Sequence, residues 1–138
     1  MGFNNKRIAI GGLVAGIIVM IIGSALVPIL GKEMGLALSR FNLPPLSPTA
    51  MVFFAFESLV LGITLVWLYA AMLPRLKQKT RAAVYSALIV WLLAYFFANF
   101  AMVAYGFMPI KLTAIGTIWG LLELLSASLI GTRFYKEA

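Results

Sequence analysis

The sequence predicts an all-α, transmembrane four-helix bundle, and composition and chain length are the first observations that support it. Hydrophobic residues make up 63% of the 138 residues, against about 45–50% in ordinary soluble domains. Four apolar stretches are each long enough to cross a bilayer, which takes about 20 residues. They cover residues 8–30, 49–73, 82–107 and 110–134. Because they leave little chain for a soluble unit, we expect a single membrane domain over residues 1–138.

The distribution of basic residues predicts that both termini are cytoplasmic. Four spans place both ends of the chain and the middle loop on one side of the membrane. That side carries eight basic residues, Lys6, Arg7, Arg75, Lys77, Lys79, Arg81, Arg133 and Lys136, whereas the other side carries three, Lys32, Arg40 and Lys111. Cytoplasmic loops hold the excess of Lys and Arg in membrane proteins. The same placement accounts for the net charge of +7, so the expected surroundings are a lipid bilayer and no nucleic acid.

The first external loop predicts a short interfacial helix. In residues 32–40 the apolar Met34, Leu36 and Leu38 are interspersed with charged residues, a weak amphipathic pattern that suits the membrane surface. The three prolines in residues 42–48 cannot continue a helix, because proline has no backbone N–H. A tight turn at residues 106–109 makes the third and fourth spans antiparallel neighbours.

Small residues at helical spacing mark the predicted seams between helices. Apolar side chains gain little by leaving lipid for one another, so association depends on close backbone approach or on polar links. The candidate packing residues are Gly12, Gly16, Gly23, Ser58, Gly62, Ala94, Ala98, Gly116, Gly120 and Ala127. Two interpretations stay open, namely internal packing of one bundle and an outward contact with another subunit.

Five polar residues inside the spans form the candidate intramembrane site. Glu57 and Glu123 stand out, because an ionisable group in the bilayer is costly unless it is paired, hydrated or protonated. Asn99 and Ser24 lie near the depth of Glu57, so these three are expected to form one hydrogen-bonded layer, and Tyr95 lies near the depth of Glu123. Three hypotheses remain for the carboxyls: neutral packing groups, proton or cation carriers, or attachment points for a subunit, lipid or pigment.

The residue types that are missing argue against catalysis. The chain contains no Cys and no His, and its four acidic residues are all Glu. The thiolate and imidazole ligands of metals are therefore absent, as is the usual general base. We accordingly predict a protein that is not an enzyme, with no catalytic residues, no metal site and no cofactor.

The order of these features resembles a broad group of small, uncharacterised four-span bacterial membrane proteins. The stretches that carry the resemblance are GGLVAGIIVMIIGSALVPILGKEMG, LVLGITLVWLYAAMLPRL and MPIKLTAIGTIWGLLELLSASLIG. The resemblance implies a multi-pass protein of the bacterial inner membrane and no known activity. Small multidrug exporters are similar in size and span number, but they carry a membrane Glu in the first span, and here residues 8–30 have none.

These observations favour a non-enzymatic function. The leading hypothesis is a structural or accessory subunit that packs through its small-residue seams against itself or other membrane subunits. The alternative is a small homo-oligomeric transporter that couples to protons or cations through its intramembrane Glu residues.

Overall fold

All regular secondary structure in the described residues is helical, as the sequence predicts. The computed structural model describes residues 2–137. Its helices are α1 (Asn5–Ala25), α2 (Val27–Ser39), α3 (Pro48–Leu76), α4 (Lys79–Ala104) and α5 (Ile110–Gly131), with a 3-10 turn at Thr132–Phe134. All except α2 are long and apolar enough to cross a membrane. The all-α class and the presence of four membrane-span-capable helices are therefore confirmed, as in a multi-pass membrane protein.

Side-chain caps define where two of the long helices begin. The side chain of Asn4 accepts a hydrogen bond from the backbone N–H of Arg7 at 3.2 Å and so caps α1. Ser47 does the same for α3, accepting from the N–H of Ala50 at 3.1 Å. Each oxygen satisfies an amide that has no partner within its own helix.

The predicted first span, residues 8–30, is divided at Leu26. The N–H of Leu26 donates to the carbonyl of Gly23 instead of that of Ile22. Pro28, two residues later, lacks an N–H and clashes with a preceding helical carbonyl. The freed carbonyl of Ile22 accepts from the indole Nε1 of Trp119 at 2.9 Å. Helix α2 then covers most of the segment 32–40, while its interfacial position stays a prediction.

The four long helices pack in a ring in which α1 and α4 each contact both α3 and α5. Helix α2 lies beside the start of α5, where Leu30 and Ala37 pack with Leu112. Chain neighbours are therefore also spatial neighbours, which is the usual outcome when antiparallel helices are joined by short connections.

Three glycines bring α1 and α3 together backbone to backbone. A Cβ on Gly12 would lie 2.6 Å from the Cα of Ile63, and one on Gly16 would lie 2.8 Å from the Cα of Leu59. A Cβ on Gly62 would collide with the backbone of both α1 glycines. Because the obstacles are backbone atoms, no side-chain rotation can relieve these contacts.

Burial is concentrated toward one end of the molecule, which we call the packed end. It consists of the ends of the long helices that carry the chain termini and the α3–α4 loop, and its fully buried side chains include Leu65 and Leu124. The opposite, open end differs sharply. Neither residues 48–61 of α3 nor residues 92–104 of α4 include a buried residue.

A π-helical turn at Leu92–Phe96 divides α4 between the two ends. Within it, the N–H of Phe97 donates to the carbonyl of Leu92, five residues back. The extra residue rotates the following helix face relative to a regular α-helix, and such turns are frequent at functional sites. Before the turn, α4 packs against both α3 and α5; beyond it, the packing of Phe97–Ala104 is against α5.

Candidate intramembrane polar site

Glu123 and Tyr95 form the centre of the site. Glu123 lies on α5 and is 4% exposed. The hydroxyl of Tyr95, in the π turn of α4, donates to its Oε1 at 2.5 Å. A short hydrogen bond of this kind is typical of a hydroxyl bound to a carboxyl group, and it offsets part of the cost of burying that group.

Two glycines shape the space around this pair. A Cβ on Gly23 of α1 would lie 3.2 Å from Oε2 of Glu123. A Cβ on Gly120 of α5 would lie 2.5 Å from Cδ1 of the Tyr95 ring. Gly23 thus leaves space for the carboxyl of Glu123, and Gly120 leaves space for the phenol of Tyr95. Both glycines are therefore needed for the polar site as well as for contact between helices.

Glu57 faces the same region from α3. Its side chain is half-buried, and its carboxyl is within electrostatic range of both Glu123 and Tyr95. Within residues 2–137, the carboxyl that receives a side-chain hydrogen bond is that of Glu123. Two acids therefore lie in one region of the long helices, and the hydroxyl of Tyr95 donates to one of them, Glu123.

Asn99 belongs to a second polar group, one helical turn along α4 from Tyr95. Its Nδ2 donates to Oγ1 of Thr117 at 3.0 Å, and that hydroxyl donates to the carbonyl of Thr113 at 2.7 Å. The indole Nε1 of Trp91 donates to the carbonyl of Thr117 at 2.8 Å. The amide of Asn99 is thus engaged by α5, not by Glu57.

Ser24 stands apart from both polar groups. It is exposed on α1, so the structure does not bring together the expected layer of Ser24, Asn99 and Glu57. Depth along a helix follows from residue counting, at about 1.5 Å per residue, but a shared depth does not place side chains on facing sides. The sequence interpretation did not include Thr117 or the indole donors of Trp91 and Trp119. The position of each polar group deep within a predicted span could have indicated a hydrogen bond between helices.

The predicted packing residues differ in what they contact. Gly12, Gly16, Gly62 and the backbone of Ser58 lie in the α1–α3 contact. Ala127 is fully buried, and Gly23 and Gly120 border the polar site. By contrast, Ala94 and Ala98 are exposed, and nothing lies within 4 Å of where a Cβ of Gly116 would be.

The structure adds two packing residues that the sequence did not single out, Gly11 and Gly131. A Cβ on Gly11 would lie 2.7 Å from the carbonyl O of Gly131.

The arrangement can hold a proton, donate or accept hydrogen bonds, or attract a cation through its carboxyls. Residues 2–137 contain no cluster of three or more His, Cys, Asp or Glu side chains that would hold a metal ion. In comparisons with known proteins, no family model, curated protein or solved structure matches the chain. A functional proposal therefore rests on this geometry.

Proposed function

We propose that this protein is a non-enzymatic accessory subunit of a bacterial inner-membrane complex, and that it receives a transmembrane helix of another subunit between α3 and α4. The observation that carries the proposal is the exposed pair Ala94 and Ala98 on α4. The glycines of α1 and α3 are engaged within the chain, whereas this four-residue repeat of small side chains has no such partner. Small-xxx-small faces are where a second helix can approach closely in lipid.

The half-buried Glu57 supports the same location for the partner. Residues 48–61 of α3 and 92–104 of α4 have no buried side chain, so the partner would complete the packing of both helices. A carboxyl in a bilayer is costly when nothing donates to it. A partner helix with a hydroxyl, amide or basic side chain at that depth would donate to Glu57 and gain specificity from the contact.

The charge distribution supports an orientation for the proposal. The packed end has the termini and the α3–α4 loop, with Lys6, Arg75 and Arg133 among its basic residues, and it is the end we expect in the cytoplasm. The open end, with Glu57, would then lie in the outer half of the membrane.

The test uses the protein extracted from its own membrane in a mild detergent. Native mass spectrometry is expected to find it with a second polypeptide in fixed ratio, and Ala94→Leu with Ala98→Leu should remove that polypeptide. Ala25→Leu is the matched control, since Ala25 is also exposed but lies on α1. Recovery of the wild type without any other polypeptide, or an unchanged complex in the double variant, contradicts the proposal.

A second candidate is a small homo-oligomeric transporter coupled to protons or cations. The observation in its favour is that Glu57 and Glu123 lie within electrostatic range of one another beside the hydroxyl of Tyr95. Purified protein in liposomes should then show proton-coupled flux that Glu57→Gln and Glu123→Gln abolish. No flux by the wild type, or full flux in both variants, excludes this candidate.

A further inference from the structure

A cavity of about 310 Å³ lies at the packed end, and neither Glu123 nor Tyr95 lines it. It is partly open to the surface and is lined by the last part of α3, the start of α4 and the end of α5 with the residues that follow. Its walls include two basic side chains, Lys79 and Arg133, and several hydroxyl groups. The volume is at the lower end of the range of small-molecule sites, about 300–1,000 Å³.

Two buried tyrosines give this cavity unused hydrogen-bond donors. Tyr69 and Tyr135 line it and are 2% and 7% exposed, with ring centroids 5.9 Å apart. Among the tyrosine hydroxyls of residues 2–137, the one that hydrogen bonds within the chain is that of Tyr95. Every side-chain oxygen of residues 2–137 that is sealed from solvent has a hydrogen-bond partner. Within residues 2–137 the hydroxyls of Tyr69 and Tyr135 therefore have no hydrogen-bond partner and are not sealed from solvent, so each can donate to a ligand in the cavity that they line.

The start of α4 adds positive character at the same wall. Lys79 and Thr80 line the cavity and are the first residues of the helix. The side chain of Gln78 makes no capping hydrogen bond, and the first turn contains no acidic residue. The amides of such a turn have no partner in their own helix and carry a partial positive charge that favours anions.

Among residues 2–137, the acidic side chain close to the cavity is that of Glu137. Glu137 is exposed and within electrostatic range of Tyr69, so its carboxylate competes with any bound anion. Lys79 and Arg133 together outweigh this single negative charge. The net electrostatic character of the cavity is therefore positive.

We infer that this cavity binds a phosphate group. Phosphate oxygens accept hydrogen bonds from guanidinium, ammonium, hydroxyl and first-turn backbone donors, and residues that carry all four kinds line this cavity. Two sources share this chemistry: the head group of an anionic phospholipid and a soluble phosphate compound. The predicted cytoplasmic position of the packed end is compatible with both, because that leaflet carries the anionic lipids.

The experiment is isothermal titration calorimetry on delipidated protein in a maltoside detergent. Inorganic phosphate and a short-chain phosphatidylglycerol are titrated separately, with the matching diacylglycerol as the lipid that lacks phosphate. Lys79→Gln and Arg133→Gln should each weaken binding by about tenfold or more, since charge-assisted hydrogen bonds are lost. Lys79 and Arg133 are both exposed, so the variants should retain the fold, which circular dichroism checks.

Matched variants separate a defined site from general charge attraction. Arg81→Gln removes a charge from the helix turn that also contains Lys79, but Arg81 does not line the cavity. The affinity of this variant for the phosphate ligand should therefore equal that of the wild type. Tyr69→Phe and Tyr135→Phe keep the rings and should weaken binding by several fold, while Glu137→Gln should strengthen it.

The pattern of ligands then identifies the source of the phosphate. Binding of the phospholipid alone supports a lipid head-group site, and binding of inorganic phosphate supports a site for soluble phosphate compounds. Absence of phosphate-dependent heat with both ligands overturns the inference. An equal loss of affinity in Arg81→Gln and Lys79→Gln overturns it as well, since that result indicates diffuse attraction.

Discussion

The packed end and the open end are built from equally apolar helices, yet α3 and α4 bury side chains at the packed end alone. At the packed end, Leu65 and Leu124 are fully buried and Gly11 lies against the backbone of Gly131. At the open end, residues 48–61 and 92–104 bury no side chain, although they are rich in Phe, Leu and Val. The comparison shows that apolar character does not decide where membrane-type helices meet, because lipid solvates such side chains as well as a neighbouring helix does.

The largest loss of stability should come from adding one methyl group at the contact between α1 and α3. Gly62→Ala places a Cβ against the backbone of Gly12 and Gly16, and backbone cannot rotate away. We expect a loss of about 3 kcal/mol or more in the free energy of unfolding, at or above the upper end of typical overpacking costs. Unfolding in mixed micelles with increasing denaturing detergent measures it.

Gly116→Ala is the matched control for this substitution. Nothing lies within 4 Å of its added Cβ, and alanine favours a helix over glycine by about 1 kcal/mol, so stability should be unchanged or slightly raised. Equal losses in Gly62→Ala and Gly116→Ala would show that the close approach of α1 and α3 does not hold the fold together.

The next effect concerns the hydrogen bond at the centre of the polar site. Tyr95→Phe removes the donor to Oε1 of Glu123 and leaves a buried acceptor unpaired, at a cost of about 1–3 kcal/mol. Glu57→Gln is the comparison, because Glu57 is half-buried and receives no hydrogen bond from the residues described. Its effect on the stability of the isolated protein should be smaller. The reverse order would place the structural role on Glu57.

A smaller effect is expected at the break between α1 and α2. Trp119→Phe removes the indole donor to the carbonyl of Ile22 and should cost about 1 kcal/mol of unfolding free energy, the net value of a typical hydrogen bond. Trp67→Phe is the matched control, since Trp67 is 50% exposed. Thermal unfolding of the two variants side by side measures the difference, and equal melting temperatures would contradict the assigned bond.

The smallest effect on stability should follow substitution at the open end. Ala94→Leu and Ala98→Leu enlarge exposed side chains, so the unfolding free energy of the isolated protein should change by no more than about 0.5 kcal/mol. A large destabilisation, measured in the same micelles as Gly62→Ala, would mean that these alanines pack within the chain and would remove the basis for partner binding there.

Within the polar site, the sequence predicted the depth of a residue along its helix better than the direction in which its side chain points around the helix axis. Tyr95 was expected near the depth of Glu123, and the two are hydrogen bonded. Asn99 was expected beside Glu57 and Ser24, but it bonds Thr117 instead. The π turn at Leu92–Phe96 changes which side of α4 faces α5 without leaving a distinctive pattern in the sequence, so the partner of Asn99 could not be predicted.

The sequence by itself determined the helical class, the four long apolar helices and the small residues available for close approach, because span length, hydrophobicity and residue volume are local properties. Only the tertiary structure decided which small residues are used. Gly62 is enclosed by α1, whereas Gly116 and Ala98 are left open. The physical reason is that helix contact depends on rotation about the axis, which is set by the break at Leu26, the π turn of α4 and the contacts of the whole ring.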